Sequence, residues 1–374
     1  MPNQFDDAVV GAGVLGLAHA FHLARQGRRV VVFERSERAC GASVRNFGML
    51  WPVGQPQGPM RDMALRSREF WLDVLGRADL WHEQTGSLHL AHQPDEAQVL
   101  AEFCAQPEGG CELLTREQVA ARSPSANPKG LLAGMWSPTE TCVDPRQVIA
   151  RLPAWLEREF GVHFEFGTAV TAFEQPTVTA GGKSWHTRRL IVCSGDDFQT
   201  LYPETFAAVG LLRCKLQMLR TQSYAGKFKL GPMLAGGLTL RHYKNFQDCP
   251  TLSALKERVA RDTPEYDRYG IHVMASQNGS GELILGDSHE YGADIEPFDK
   301  PEIDRLILDY LPTILDLPDL TIAARWHGIY AKHPTDSYFV AQPAPGATVA
   351  TCVGGAGMTL SFGLADQVVR NLAE

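Results

Sequence analysis

Three glycines near the start of the chain have the spacing needed to hold a phosphate. Phe5–Val10 reads as a short buried strand and runs directly into Gly11-Ala12-Gly13-Val14-Leu15-Gly16. A helical stretch follows to Gln26, with Gly27 where a helix end favours positive φ. A second strand, Arg29–Phe33, ends at Glu34, 18 residues after the third glycine. In such a unit Gly11 makes the tight turn, Gly13 lets backbone approach a pyrophosphate, and Gly16 lets helix and strand pack closely. The helix N-terminus offers free N–H groups to the phosphate charge, and Glu34 accepts from ribose hydroxyls. This is a dinucleotide site, and the acid favours a free 2′-hydroxyl, hence FAD or NAD over NADP.

FAD needs a second anchorage for its ring system, and the far end of the chain supplies one. Thr348–Val353 reads as a strand, followed by Gly354-Gly355-Ala356-Gly357-Met358-Thr359 and an apolar-periodic helix through Ala365, Val368, Val369 and Leu372. A helix N-terminus there would stabilise negative charge on a reduced ring. A third strand–turn, Leu190–Gly195, lies between them.

The elements that must position these turns belong to an ordinary globular chain. Its 374 residues are enough for two or three domains, and 44% hydrophobic with 21% charged residues excludes disorder. Thirty-five Lys+Arg against 43 Asp+Glu give a net charge of −8, which argues against a nucleic-acid partner. No apolar run is long enough to cross a bilayer, so no membrane insertion is expected. With the first strand beginning by Phe5, neither a signal nor a transit peptide is expected, and the location is read as cytoplasmic. Eight scattered cysteines without a C-x-x-C read as reduced, mostly buried thiols, and no metal is expected. Asp144-Pro145 starts an amphipathic helix to Phe160, and Thr115–Gln118 is a capping box.

The sequence resembles the D-amino-acid oxidase, glycine oxidase and sarcosine oxidase superfamily of FAD proteins. The matching stretches are AVVGAGVLGLAHAFHLARQGRRVVVFER, GASVRNFGM at 41–49, ALRSREFW at 64–71, LIVCSG at 190–195, RWHGIYAKHPTDSYFV at 325–340 and GGAGMTLSFG at 354–363, in the family's order. The resemblance implies an α/β fold: a Rossmann-like, glutathione-reductase-like FAD domain interleaved with an α+β substrate domain containing a large mixed sheet. The expected segments are 1–82, 141–210 and 326–374 for the FAD domain, and 83–140 and 211–325 for the substrate domain. It also implies that Gly11, Gly13, Gly16, Glu34 and Arg35 contact the adenosine half, with Val170 holding the adenine through its backbone. Ser43, Asn46 and Gly48 would lie along the pyrophosphate and flavin, with Ser194 and Gly195 in the central turn. Gly354, Gly355, Gly357, Met358 and Thr359 would line the flavin N1–O2 edge.

Departures from the family carry the rest. Some relatives tether their flavin through a Cys or His, but Gly328-Ile329-Tyr330 and Val44-Arg45-Asn46 contain neither, so non-covalent FAD is expected. Amino-acid-oxidising relatives often have an Arg two residues after the glycine of W-x-G, where this chain has Tyr330. Sarcosine-oxidising relatives place a Lys near the final glycine turn, where this chain has Thr359. Residues 205–247 nonetheless contain no Asp or Glu while carrying Arg213, Lys215, Arg220, Lys227, Lys229, Arg241 and Lys244. That run is either a solvated basic face or an anion-binding wall for a phosphonate or phosphate. NFGMLWP and LRHYKNF resemble the branch associated with bacterial phosphonate breakdown, which implies 2-aminoethylphosphonate or its N-methyl derivative as substrate.

The chemistry so implied is oxidation of a small anionic amine by hydride transfer to flavin N5. The resulting imine is hydrolysed to an aldehyde plus ammonia or methylamine, with oxygen or another carrier as electron acceptor. A neutral amine needs no strong base, so Tyr330, His333, Thr359, Arg241, Tyr243 and His289 are expected to orient substrate, although each also reads as an ordinary satisfied polar group. Trp51 and Phe47 are candidate walls of the flavin or plain core. A glycine- or sarcosine-type oxidase and a non-catalytic, redox-sensing flavoprotein are the alternatives.

Overall fold

The computed structural model describes residues 4–106, 109–317 and 319–372. Val30–Phe33 is buried at all four positions, as suits a parallel strand covered on both faces. It pairs in parallel with Gln4–Val10, which pairs in parallel with Lys183–Val192, and that strand with Ala347–Thr351. His163–Glu165 continues the sheet beyond Val30–Phe33, and the antiparallel strands Val170–Glu174, Thr177–Ala180 and Phe339–Ala344 bring it to eight strands. Helices Val14–Arg25, Pro59–Arg77, Pro145–Phe160 and Gly357–Asn371 share one apolar core with this sheet, built on Leu17, Phe21, Trp71, Leu152 and Phe362. The carboxyl ends of the three central strands, at Val10, Val192 and Thr351, therefore sit together, which is where open α/β sheets bind ligands.

The local signals formed as their residues require. Asp144 caps the helix Pro145–Phe160 by accepting from the Arg146 N–H, with proline in the first turn. Thr115 and Gln118 exchange both bonds of the capping box at the start of Arg116–Arg122. Gly27 has φ +77° just past the first helix.

A second, nine-stranded mixed sheet runs in the order Glu290–Gly292, Leu212–Ser223, Glu282–Gly286, Met274–Gln277, Met233–Ala235, Ser87–Ala91, Ala133–Ser137 and Glu112–Leu114. Ile322–Lys332 pairs with Leu212–Ser223 along almost its whole length, from Leu212 opposite Lys332 to Thr221 opposite Ile322. The expected boundary at 326 thus falls inside a strand that belongs wholly to the second sheet. The chain rejoins the first sheet with Phe339–Ala344. Helix Pro301–Ile314 buries Ile303, Ile307, Leu311 and Ile314 against Leu219, Leu234, Leu283 and Leu285 of the second sheet. Among the described residues no helix is long and apolar enough to cross a membrane.

Candidate active site

Between the two sheets lies a cavity of about 830 Å³, within the roughly 300–1,000 Å³ of ligand clefts. Its cofactor end is built as the glycines require. Gly11 has φ +95° and a side chain on it would meet the Cys193 carbonyl, while a Cβ on Gly16 would collide with the Gly11 carbonyl. Gly11 and Gly13 line the cavity, whereas Gly16, expected to contact the adenosine half, lies behind the Gly11 turn and does not. Glu34 accepts from the Ala12 N–H with one carboxylate oxygen and from the Ser36 N–H with the other, both at 3.0 Å, so it also braces the turn. Arg35 reaches Asp197 at 2.9 Å, and Thr351 donates to the Gly195 carbonyl, fixing the turn that carries Ser194 and Gly195. Val170 lines the cavity as part of Thr168-Ala169-Val170.

Ser43 accepts from the Val14 N–H at 2.9 Å, and Asn46 holds its own loop by donating to Ala42 and Ser43 and accepting from Gly48. Gly48 corrects the expectation that it borders the flavin. It stands behind the cavity wall at φ +72°, where a Cβ would strike the Val143 carbonyl. At the other end Gly354, Gly355, Gly357, Met358 and Thr359 all line the cavity. Neither Val14–Arg25 nor Gly357–Asn371 has a side-chain cap of its own or an acid in its first turn. With only the Val14 N–H taken, by Ser43, two helix N-termini opening on one cavity fit a dinucleotide whose pyrophosphate and flavin pyrimidine edge carry negative charge.

The substrate end differs more from expectation. Arg241 lies on the wall, but its guanidinium is taken by Asp267 at 2.7 Å and by the Tyr266 and Ile271 carbonyls. Its Nη atoms therefore act as a brace, while its Nε is buried with no partner among the described residues. His333 lies outside the cavity lining: its Nδ1 accepts from the Asp336 N–H at 2.8 Å and its ring stacks on Phe339, so it staples a turn. The basic run disperses in the same way. Arg213 is held by the Asp196 and Ala293 carbonyls, Lys215 by Asp299, Arg220 by Glu282 and Lys229 by Glu83, while Lys227 is exposed. Of the seven, only Arg241 and Lys244 line the cavity.

Tyr330, Tyr243, His289 and Thr359 do line it. Burial pushes the Tyr330 hydroxyl far above its usual range, with Cys214 and Tyr291 adding to the shift, so Tyr330 stays protonated and able to donate. Burial likewise raises Tyr243, whose hydroxyl points at the Met274 sulfur at 3.6 Å. His289 is pushed down to about 4 by burial and is neutral at pH 7. Trp51 and Phe47 line the cavity as well as packing into the core beside it.

Sequence reasoning missed Lys332, His242, His272 and Asp287, all of which line the cavity. Lys332 was legible in principle: it lies two residues after Tyr330 in one strand, so both side chains leave the same face. Its ammonium makes no hydrogen bond or ion pair among the described residues, and burial followed by the neighbouring Lys244 lowers its pKa. Lys244 is exposed and donates to the Thr335 carbonyl at 2.6 Å.

Comparison with known proteins agrees with this geometry. Residues 6–370 match the family model DAO, described as FAD dependent oxidoreductase. Glycine oxidase of Geobacillus kaustophilus (strain HTA426) is 28% identical over 163 residues, which is 41% of this chain and 43% of that enzyme. The aligned part thus spans less than half of that relative's length. The crystal structure of the Geobacillus kaustophilus glycine oxidase superposes with TM-score 0.75 at 20% identity, covering 99% of this chain and 94% of that one. L-proline dehydrogenase from P. horikoshii superposes with TM-score 0.81 at 20% identity, covering 100% and 94%. L-alpha-glycerophosphate oxidase from Mycoplasma pneumoniae, with FAD bound, gives 0.75 at 17% identity, covering 99% and 95%. With the family model matched over residues 6–370 and both glycine turns facing one cavity, the chain belongs to the DAO family of FAD-dependent oxidoreductases.

Proposed function

We propose that this protein oxidises a small amine bearing a compact anionic group, with 2-aminoethylphosphonate and its N-methyl derivative as the best-fitting substrates. The observation that carries the reading is the pair Lys332 and Lys244, two ammonium groups on the cavity wall with no carboxylate partner among the described residues. Lys332 is half-buried without a counter-charge and Lys244 stands exposed beside it, so together they call for an anion from the ligand. Two point charges suit the several oxygens of a phosphonate better than the planar, bidentate geometry in which arginine holds a carboxylate.

Bound FAD supplies the hydride acceptor for the carbon beside the amine. The chain's own residues do the remaining work. Glycine turns at both ends fix the cofactor, and the neutral Tyr330 hydroxyl is a donor between Lys332 and the Gly354–Gly355 turn. Trp51, Phe47 and Leu216 make part of the wall apolar, which favours the uncharged amine that oxidation requires. Oxygen or another carrier then takes up the electrons.

A glycine- or sarcosine-type oxidation is the second reading, favoured by the 28% identity to glycine oxidase. The test is an anaerobic titration of the yellow protein with 2-aminoethylphosphonate, its N-methyl form, glycine and sarcosine in separate cuvettes. Bleaching of the visible band by the aminophosphonates alone is expected. Bleaching by glycine or sarcosine alone would overturn the substrate assignment, and no bleaching by any of the four would overturn both.

A further inference from the structure

Three histidines that the flavin chemistry does not use meet on the substrate side of the cavity. His242 follows the turn Gly237–Arg241, His272 precedes the strand Met274–Gln277, and His289 sits between Glu282–Gly286 and Glu290–Gly292. One nitrogen from each ring lies within 4.8 Å of those of the other two. Ring centroids are 4.0 Å apart for His242 and His289, 4.3 Å for His242 and His272, and 5.1 Å for His272 and His289. Three imidazoles packed this closely in a buried place repel one another if protonated. Burial and that mutual repulsion keep His242 and His289 neutral, which is the form that ligates a metal.

The surrounding atoms orient the rings. His289 Nδ1 faces the Gly270 carbonyl at 3.2 Å, so the proton belongs on Nδ1 and the Nε2 lone pair is bare. Asp287 lies beside His272, its Oδ1 2.9 Å from Nε2 but out of line for a hydrogen bond. As a result His272 Nδ1 and Asp287 Oδ1 are both buried without a hydrogen-bond partner, on residues 2% and 4% exposed. A cation among the rings would satisfy the bare nitrogens together, with Asp287 as a neighbouring countercharge.

We propose that His242, His272 and His289 form a binding site for a divalent first-row cation of the Zn²⁺ class, with an open coordination position facing the substrate end of the cavity. Imidazole ligands select such ions over Mg²⁺ or Ca²⁺, and three protein ligands leave one tetrahedral position vacant. With Zn–N bonds of about 2.0–2.1 Å, tetrahedral nitrogens stand roughly 3.3 Å apart, so binding requires the His242 ring to turn and move away from its two neighbours as the nitrogens converge. The open position is suited to an oxygen of the substrate's anionic group. That use rests on the aminophosphonate reading, whereas the cation site itself does not.

The test uses untagged holoenzyme, because a polyhistidine tag binds Zn²⁺. Protein treated with chelator is equilibrated with Zn²⁺, and bound zinc is counted against bound flavin. One zinc per flavin is expected in the wild type. His242→Gln or His289→Gln should weaken zinc binding by more than the 10- to 100-fold typical of losing an outer-shell partner, with Asp287→Asn within that range. An unchanged flavin content shows that each variant is folded, and the wild-type count decides the matter even where a variant is not. Absence of stoichiometric zinc in the wild type, or unaltered zinc binding in folded histidine variants, would overturn the site. Methylphosphonate, which carries the anion without the amine, should slow zinc loss to chelator, and no effect would overturn the open position. Because these readouts involve no turnover, they stand apart from the flavin-bleaching test.

Discussion

The Thr359 hydroxyl accepts the backbone N–H of Trp51 at 2.9 Å across 308 residues of sequence, joining the start of the closing helix to the segment that walls the cavity. Both residues are buried, at 3% and 4% exposure. The same helix start is held from a second side, where the Trp71 indole N–H donates to the Met358 carbonyl at 2.7 Å. This part of the cavity lining is therefore also a structural joint.

Thr359→Val keeps the shape but leaves the Trp51 N–H buried without an acceptor. A loss of about 1–3 kcal/mol in unfolding free energy is expected, with Thr359→Ser retaining most of the stability. Urea unfolding of the three proteins measures it, and equal midpoints would show that the bond contributes nothing.

Gly16→Ala places a Cβ against the Gly11 carbonyl, in the turn where the pyrophosphate must approach. The expected product is a folded or partly folded chain with little bound flavin. The ratio of visible to ultraviolet absorbance after gel filtration reads this directly, and a wild-type ratio would contradict the assignment of that turn.

Lys332→Met removes one ammonium of the cavity pair. Charge-assisted hydrogen bonds contribute about 1.5–3 kcal/mol, so KM for an anionic amine should rise roughly 10- to 100-fold. The rate with an uncharged amine should change little. Equal effects on both substrates would remove Lys332 from anion binding.

Several buried histidines predict acid sensitivity. Burial holds His19 at about 4 and His22 and His89 at about 3, all below their unfolded values. The unfolded chain therefore binds more protons in this range. Stability is fully present above about pH 6.5 and is lost as pH falls, by up to about 1.4 kcal/mol per pH unit for each such histidine. Urea midpoints at pH 7.5 and 5.5 should differ clearly, and His89→Gln should lessen the difference. A flat profile would refute the neutral, buried state of these rings.

Non-covalent cofactor binding is the simplest to check. Acid precipitation should leave the yellow colour in the supernatant, whereas a yellow pellet would reveal a covalent bond.

By itself, the sequence determined where the two glycine turns form. Gly11, Gly13, Gly16 and the turn from Gly354 to Thr359 follow from local backbone conformation, and local conformation is written in contiguous residues. The same holds for the capping box at Thr115 and the capped helix at Asp144, which formed where their residues stand. Only the tertiary structure decided the substrate end. Arg241 and His333 read as functional types, but neighbours distant in sequence, at Asp267 and Ile271, had already claimed the Nη atoms of Arg241, and a local turn the Nδ1 of His333. Conversely Lys332 became a wall of the cavity because Leu212–Ser223 fixes the register of its strand. His242, His272 and His289 came together because three separate loops of one sheet converge. Which polar group is left without a partner depends on everything packed around it, and a one-dimensional spacing does not contain that information.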